Sequence, residues 1–163
     1  MGKILNYIIL TSALIISICS CSSDGCLDNQ SSIPLAGFYS SVSKQSLALD
    51  SIEIYGIGAV GDSLLTNTGS DVSNVYLPFR ATSDSTAFCL HYTYKSTPHI
   101  PNDTIWFNYE TIPYFASEEC GAMYKYKITS TRHTLFLIDS ISVIDPEINN
   151  IDIERIKIYF KSN

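Results

Sequence analysis

From residue 47 onward, apolar and polar side chains alternate with a period of two, run after run, with turn-forming residues between the runs. That pattern belongs to strands with one buried face. In DSIEIYG, Ile52 and Ile54 stand opposite Ser51, Glu53 and Tyr55. In FCLHYTY, Phe88, Leu90, Tyr92 and Tyr94 stand opposite Cys89, His91 and Thr93. IWFNYE sets Ile105, Phe107 and Tyr109 against Trp106, Asn108 and Glu110. AMYKYKITS sets Tyr124, Tyr126 and Ile128 against Lys125, Lys127 and Thr129. RIKIYFK sets Ile156, Ile158 and Phe160 against Arg155, Lys157, Tyr159 and Lys161.

The segments TNTGSD, TSDS, TPHIPND, SEECG and DPEINN punctuate these runs as turns. Strands are therefore expected near 35–40, 47–56, 72–80, 86–94, 104–110, 121–130, 134–144 and 153–161. No segment after residue 25 carries a helical period. Eleven tyrosines and many β-branched residues suit the same conformation. The fold class predicted is all-β: an antiparallel β-sandwich of about eight strands with Greek-key or Ig-like connections, a small open barrel being the alternative.

The N-terminus reads differently. Lys3 precedes Ile4–Ile18, which is apolar apart from Asn6, Tyr7 and three small hydroxyl residues. A run of about fifteen residues is short for a bilayer-spanning helix, which needs roughly twenty, and suits a secretion signal. No later run is long and apolar enough to span, so the remainder is expected to be soluble. ICSC (Ile18-Cys19-Ser20-Cys21) resembles a bacterial lipobox. The resemblance implies cleavage after Ser20 and lipidation of Cys21, with Cys19 leaving in the signal. Secretion without a lipid is the alternative. Ser22 rather than Asp follows Cys21, which implies delivery to the outer membrane rather than retention at the inner one. Which face of that membrane carries the protein is left open. Residues 1–20 are thus expected as signal peptide, 21–32 as lipidated tether and entry segment, and 33–163 as the sandwich.

An oxidising compartment follows, and with it Cys26, Cys89 and Cys120 can form three different single pairings. Cys89 lies mid-strand and is expected as the buried free thiol; the pairing expected is Cys26–Cys120. That bridge would close a loop of about 95 residues, stabilising by about 4–5 kcal/mol in the chain-entropy model. It would leave Ser22–Gly25 as the free tether, a reach of roughly 15–20 Å that keeps the domain near the membrane.

The net charge of −6 argues against a nucleic-acid partner, which calls for basic clusters. His91, His99 and His133 lack metal-ligand spacing, and a zinc site at Cys89 and His91 would need two further ligands. DPEINNIDIE is rich in side-chain oxygens but lacks the calcium loop's length and central glycine, and reads as a turn. GIGAVGD has glycines at phosphate-loop spacing with no helix after it, so it also reads as a turn. No G-x-S-x-G or H-E-x-x-H motif occurs. Glu118 and Glu119 are adjacent and would point to opposite strand faces. No catalytic residue, metal or cofactor is assigned, and a non-enzymatic protein is expected. The candidate ligand surface is Trp106 with Asn108 and Glu110, an indole beside amide and carboxylate groups that could stack and bond a sugar. Its alternative is plain packing of the Trp under a loop or between sheets.

PLAGFYS, DSIEIYGIG, VYLPFR, TIPYFASEECGAMYKY and IKIYF together resemble a family of small Bacteroidetes-type envelope lipoproteins of unknown function. The resemblance covers most of the mature chain and is most specific in SEECGAMYKY, with the early CLDN. It supports Cys26–Cys120, because both cysteines lie inside the matching segments and Cys89 does not. It implies no catalytic residue, cofactor or substrate. The expected function is that of an accessory or structural envelope lipoprotein, held to the membrane through Cys21 and touching an outer-membrane protein. A glycan- or small-ligand-binding module is the alternative.

Overall fold

The computed structural model describes residues 32–50, 52–58, 64–65, 71–93, 102–118 and 121–161. Nine strands occur among them: β1 (Leu35–Ser40), β2 (Ile52–Gly56), β3 (Asn74–Tyr76), β4 (Ser85–Tyr92), β5 (Asn102–Ser117), β6 (Gly121–His133), β7 (Ile138–Val143), β8 (Glu147–Ile148) and β9 (Glu154–Phe160). No helix occurs among the described residues. The strands form a four-stranded sheet, β3-β1-β9-β7, and a five-stranded sheet, β2-β4-β5-β6-β8. All neighbours are antiparallel except β1 and β9, which run parallel. The all-β, two-sheet architecture expected from the alternation is the one observed.

The period-two pattern decides what is inside. Ile52 and Ile54, Phe88, Leu90 and Tyr92, and Ile105, Phe107 and Tyr109 are buried from the larger sheet. Ala36, Phe38, Ile138, Ile156, Ile158 and Phe160 are buried from the smaller one. Phe38 meets Phe160 edge-on at 5.3 Å within the smaller sheet. Phe79, in the segment after β3, stacks on Tyr109 at 4.4 Å and meets Tyr126 edge-on at 5.6 Å, closing one end of the core.

Three features depart from the expected pattern. Residues 147–148, read as part of a turn, pair with Tyr126 and Lys127 as the short edge strand β8. Strand β5 runs well past the predicted 104–110, to Ser117, and its far half pairs with the first residues of β6 as a two-stranded arm. Arg155, assigned to the solvent face, is 4% exposed. The parallel register explains this correction: Leu35 faces Glu154 and Ala36 faces Ile156, so Arg155 is the extra residue of a β-bulge.

One buried carboxylate ties the two sheets together. Asp103 is fully buried on the inner face of β5. Its Oδ1 accepts the Thr134 hydroxyl at 2.6 Å and the Phe136 N–H at 2.8 Å. Its Oδ2 accepts the N–H groups of Leu137 at 2.7 Å and Ile138 at 3.0 Å, and the Tyr92 hydroxyl at 2.9 Å. Residues 134–137 carry the chain from one sheet to the other, and Asp103 satisfies the backbone that this crossing leaves unpaired. Burial by itself pushes the Asp103 carboxyl up; the Thr134 hydroxyl and the three N–H groups outweigh it and hold the group below its ordinary value.

Candidate functional site

The outer face of the five-stranded sheet carries the sequence-predicted ligand residues. Trp106, Asn108 and Glu110 alternate with the buried Phe107 and Tyr109, and so share that outer face. Trp106 is half-buried. The Arg132 guanidinium, from the directly opposite residue of β6, lies 4.3 Å from its ring centre. Asn108 is exposed, and its amide donates to the Ser130 hydroxyl at 2.8 Å. Glu110 faces Lys127 across the ladder, and with Tyr109 and Thr111 it lines a broad open groove of about 780 Å³ against Ala81–Asp84. The three residues therefore share a surface, but a cation already covers one face of the indole.

The same face bears Cys89 and His91 on β4 and Glu53 and Tyr55 on β2. His91 Nδ1 lies 2.7 Å from Asn102 Oδ1. The Tyr55 hydroxyl bonds the Glu53 carboxylate, which pushes its pKa up to about 12. Cys89 is a free thiol, partly exposed rather than buried as expected. Burial and the charge of Asp103 push its pKa up. A reactive cysteine needs the opposite shift, toward thiolate. Among the described residues no cluster of three His, Cys, Asp or Glu side chains is placed to hold a metal.

The oxygen-rich 145–154 segment is organised around Arg155. Its guanidinium pairs with Asp145 and donates to Asn149 Oδ1 at 2.7 Å. Asn149 Oδ1 also accepts the Ile151 N–H at 3.1 Å, and Asp152 accepts the Tyr76 hydroxyl at 2.8 Å. These oxygens meet a guanidinium, N–H groups and a hydroxyl, as turn and anchor. Among the described residues, the Nε of Arg155 has no hydrogen-bond partner.

A second surface was not legible in the sequence. The chain enters β1 where Leu35 pairs with Tyr76 and Glu154. At that end Ile144, Ile151 and Ile153 are each about half exposed. The two-stranded arm leaves from the same end: Ile128 donates its N–H to Pro146, and Tyr126 pairs with Ile148. Beyond that register, neither β4 nor β8 pairs with β5 or β6. The inner face of the arm continues the core row as Pro113, Phe115 and Tyr124, with Phe115 68% and Tyr124 48% exposed. The alternation gave these residues the side of the sheet but not the position at which the opposing sheet stops.

Cys21, Cys26 and Cys120 lie outside the described residues, as do the signal segment and residues 21–31 of the tether and entry segment. No helix among the described residues is long and apolar enough to cross a membrane. The model of a family of unknown function, DUF6452, matches residues 51–160, well over half of the chain. Neither a curated protein nor a solved structure matches.

Proposed function

The chain belongs to the family of unknown function DUF6452, and we propose that it is a cell-envelope lipoprotein, anchored through an acylated Cys21 and acting as a non-catalytic accessory subunit at the outer membrane. A Cys26–Cys120 disulfide, on this reading, shortens its tether. The observation that carries the proposal is the lipobox-like ICSC after a signal-length apolar run. The fold adds support by geometry. The chain enters β1 at the end that exposes Ile144, Ile151 and Ile153. The two-stranded arm leaves from that same end, so an anchor joined to it through Cys120 would turn this end toward the membrane and any envelope protein beside it. Exposed apolar clusters of this kind are features of interaction surfaces.

A glycan-binding module is the second reading. The half-exposed Trp106 with Asn108 favours it, although Arg132 already occupies one face of the ring. Cross-linking intact cells that carry a C-terminally tagged protein, followed by mass spectrometry, tests the first reading. A stoichiometric envelope partner that disappears in Cys21→Ala is expected. Wild-type protein with no specific partner would contradict an accessory role and turn attention to sugar screens with Trp106→Ala as control.

A further inference from the structure

We propose that the arm joins two copies of this chain: the outer edge of β6 at residues 121–125 hydrogen-bonds, antiparallel, to the same edge of a second copy.

The two edges of the arm differ. In β5 the Tyr109 N–H points outward to Asp84, so with a period of two Thr111 and Pro113 present their backbone to that same edge. Pro113 has no N–H, which blunts the edge against a further strand. In β6 the Ile128 N–H points outward to Pro146. The register with β5 is regular from Ala122 to Ile128, so Tyr126, Tyr124 and Ala122 present N–H and C=O to that side. β8 takes Tyr126 and Lys127. Among the described residues nothing pairs with Ala122 or Tyr124 on this edge.

The open edge fits itself. With Met123 on a two-fold axis, Ala122 of each copy lies opposite Tyr124 of the other, and both residues exchange N–H and C=O across the ladder. Sliding the copies so that Tyr124 meets Tyr124 would put Ala122 against Tyr126, where β8 already pairs. At the other limit Gly121, with a φ of 69°, pairs with Ser117, so the chain turns back to β5 there.

Side chains and charge agree with this register. It sets small Ala122 beside large Tyr124 on the inner face, where Tyr124 and Phe115 are exposed in a single chain. The aromatic rows of the two arms then form one row and shield each other from water. Each Lys125 lies opposite Gly121 of the second copy, which brings it to the arm tip that carries the exposed Glu118. No like charges face each other across the ladder. Two strands alone are marginal in water, and the pairing makes them a continuous β5-β6-β6-β5 sheet. A second copy therefore supplies the short strand, the small–large complement and the opposite charge together.

The test combines sedimentation of the purified full-length protein in detergent with a photo-reactive benzophenone amino acid at Lys125, opposite the space left by Gly121. Wild type should sediment as a monomer–dimer equilibrium. The expected adduct joins two chains, residue 125 of one to the peptide around Gly121 of the other. Ala122→Pro removes an N–H that faces the open edge and none that faces β5. It should keep the circular dichroism of wild type and lower the adduct yield about tenfold, as expected when a backbone hydrogen bond is lost from each copy. Wild type that stays monomeric at every concentration overturns the proposal, whatever the variant does. Adducts confined to one chain, adducts to another protein, or an undiminished yield in Ala122→Pro overturn it as well.

Discussion

The carboxylate of Asp103 on β5 accepts the backbone N–H of Ile138, the first residue of β7, at 3.0 Å. A strand of one sheet thereby fixes the start of a strand in the other. Four further donors converge on the same two oxygens, so the crossing depends on one charged side chain. An amide could accept at only one of its two positions. Asp103→Asn should therefore cost roughly 2–4 kcal/mol at neutral pH, measured by chemical denaturation.

The same carboxylate sets a pH dependence. Its folded pKa is lowered, whereas an unfolded Asp titrates near about 3.9. The stabilisation is fully present above the unfolded value and is lost as pH falls through the folded one. Wild type and Asp103→Asn should thus converge in stability below about pH 4. A gap that stayed constant with pH would show that the charge of Asp103 contributes nothing.

Arg155 is buried; among the described residues its Nε is unpartnered, while Asp145 and Asn149 take the two terminal nitrogens of its guanidinium. Arg155→Ala leaves a cavity and frees the 145–149 turn, at roughly 2–4 kcal/mol. Arg155→Met keeps the stem's volume and removes the desolvated charge, so it should cost less than half as much. Equal losses in urea denaturation would show that the charge, not the volume, is what the site needs.

Gly37 lies beneath the contact between the Tyr39 hydroxyl and the Glu154 carboxylate, 2.8 Å apart. A Cβ at residue 37 would fall on that carboxylate and come within 2.9 Å of the Tyr39 ring. Gly37→Ala should destabilise by roughly 1–3 kcal/mol. Glu154→Ala in the same chain should restore part of it, a coupling that a double-mutant cycle measures.

Trp106 is the chain's single tryptophan, so its emission reports one site. Removing the guanidinium in Arg132→Ala should shift that emission to the red and increase acrylamide quenching. The stability cost should stay near or below about 1 kcal/mol, the usual range for an exposed cation–π pair. Unchanged emission would mean that Arg132 does not cover the ring in solution.

The strands were legible because each buries one face, and a buried face must repeat every second residue. The exceptions have physical reasons. Arg155 sits in a bulge of a parallel pairing with β1, whose Tyr39 lies 115 residues from its contact Glu154, and no local pattern records that. Asp103 ends the turn-like TPHIPND, although it is in phase with Ile105 and Phe107. A carboxylate on a core-facing position was the available signal, and reading the strand as starting at residue 104 hid it. β8 is two residues long and has no period to detect. The arm's exposure is set by where β4 and β8 stop pairing, a property of the assembled sheet. Trp106, Asn108 and Glu110 were placed on one face correctly, while the guanidinium over the indole depended on a cross-strand register the sequence does not spell out.

The central claim is attachment through Cys21, and acyl labelling tests it most directly. Cells given a labelled fatty acid should yield labelled wild-type and Cys19→Ala protein in the membrane fraction. Cys21→Ala should carry no label and leave that fraction. Label retained by Cys21→Ala, or absent from wild type, would contradict the anchor and with it the envelope role proposed for the chain.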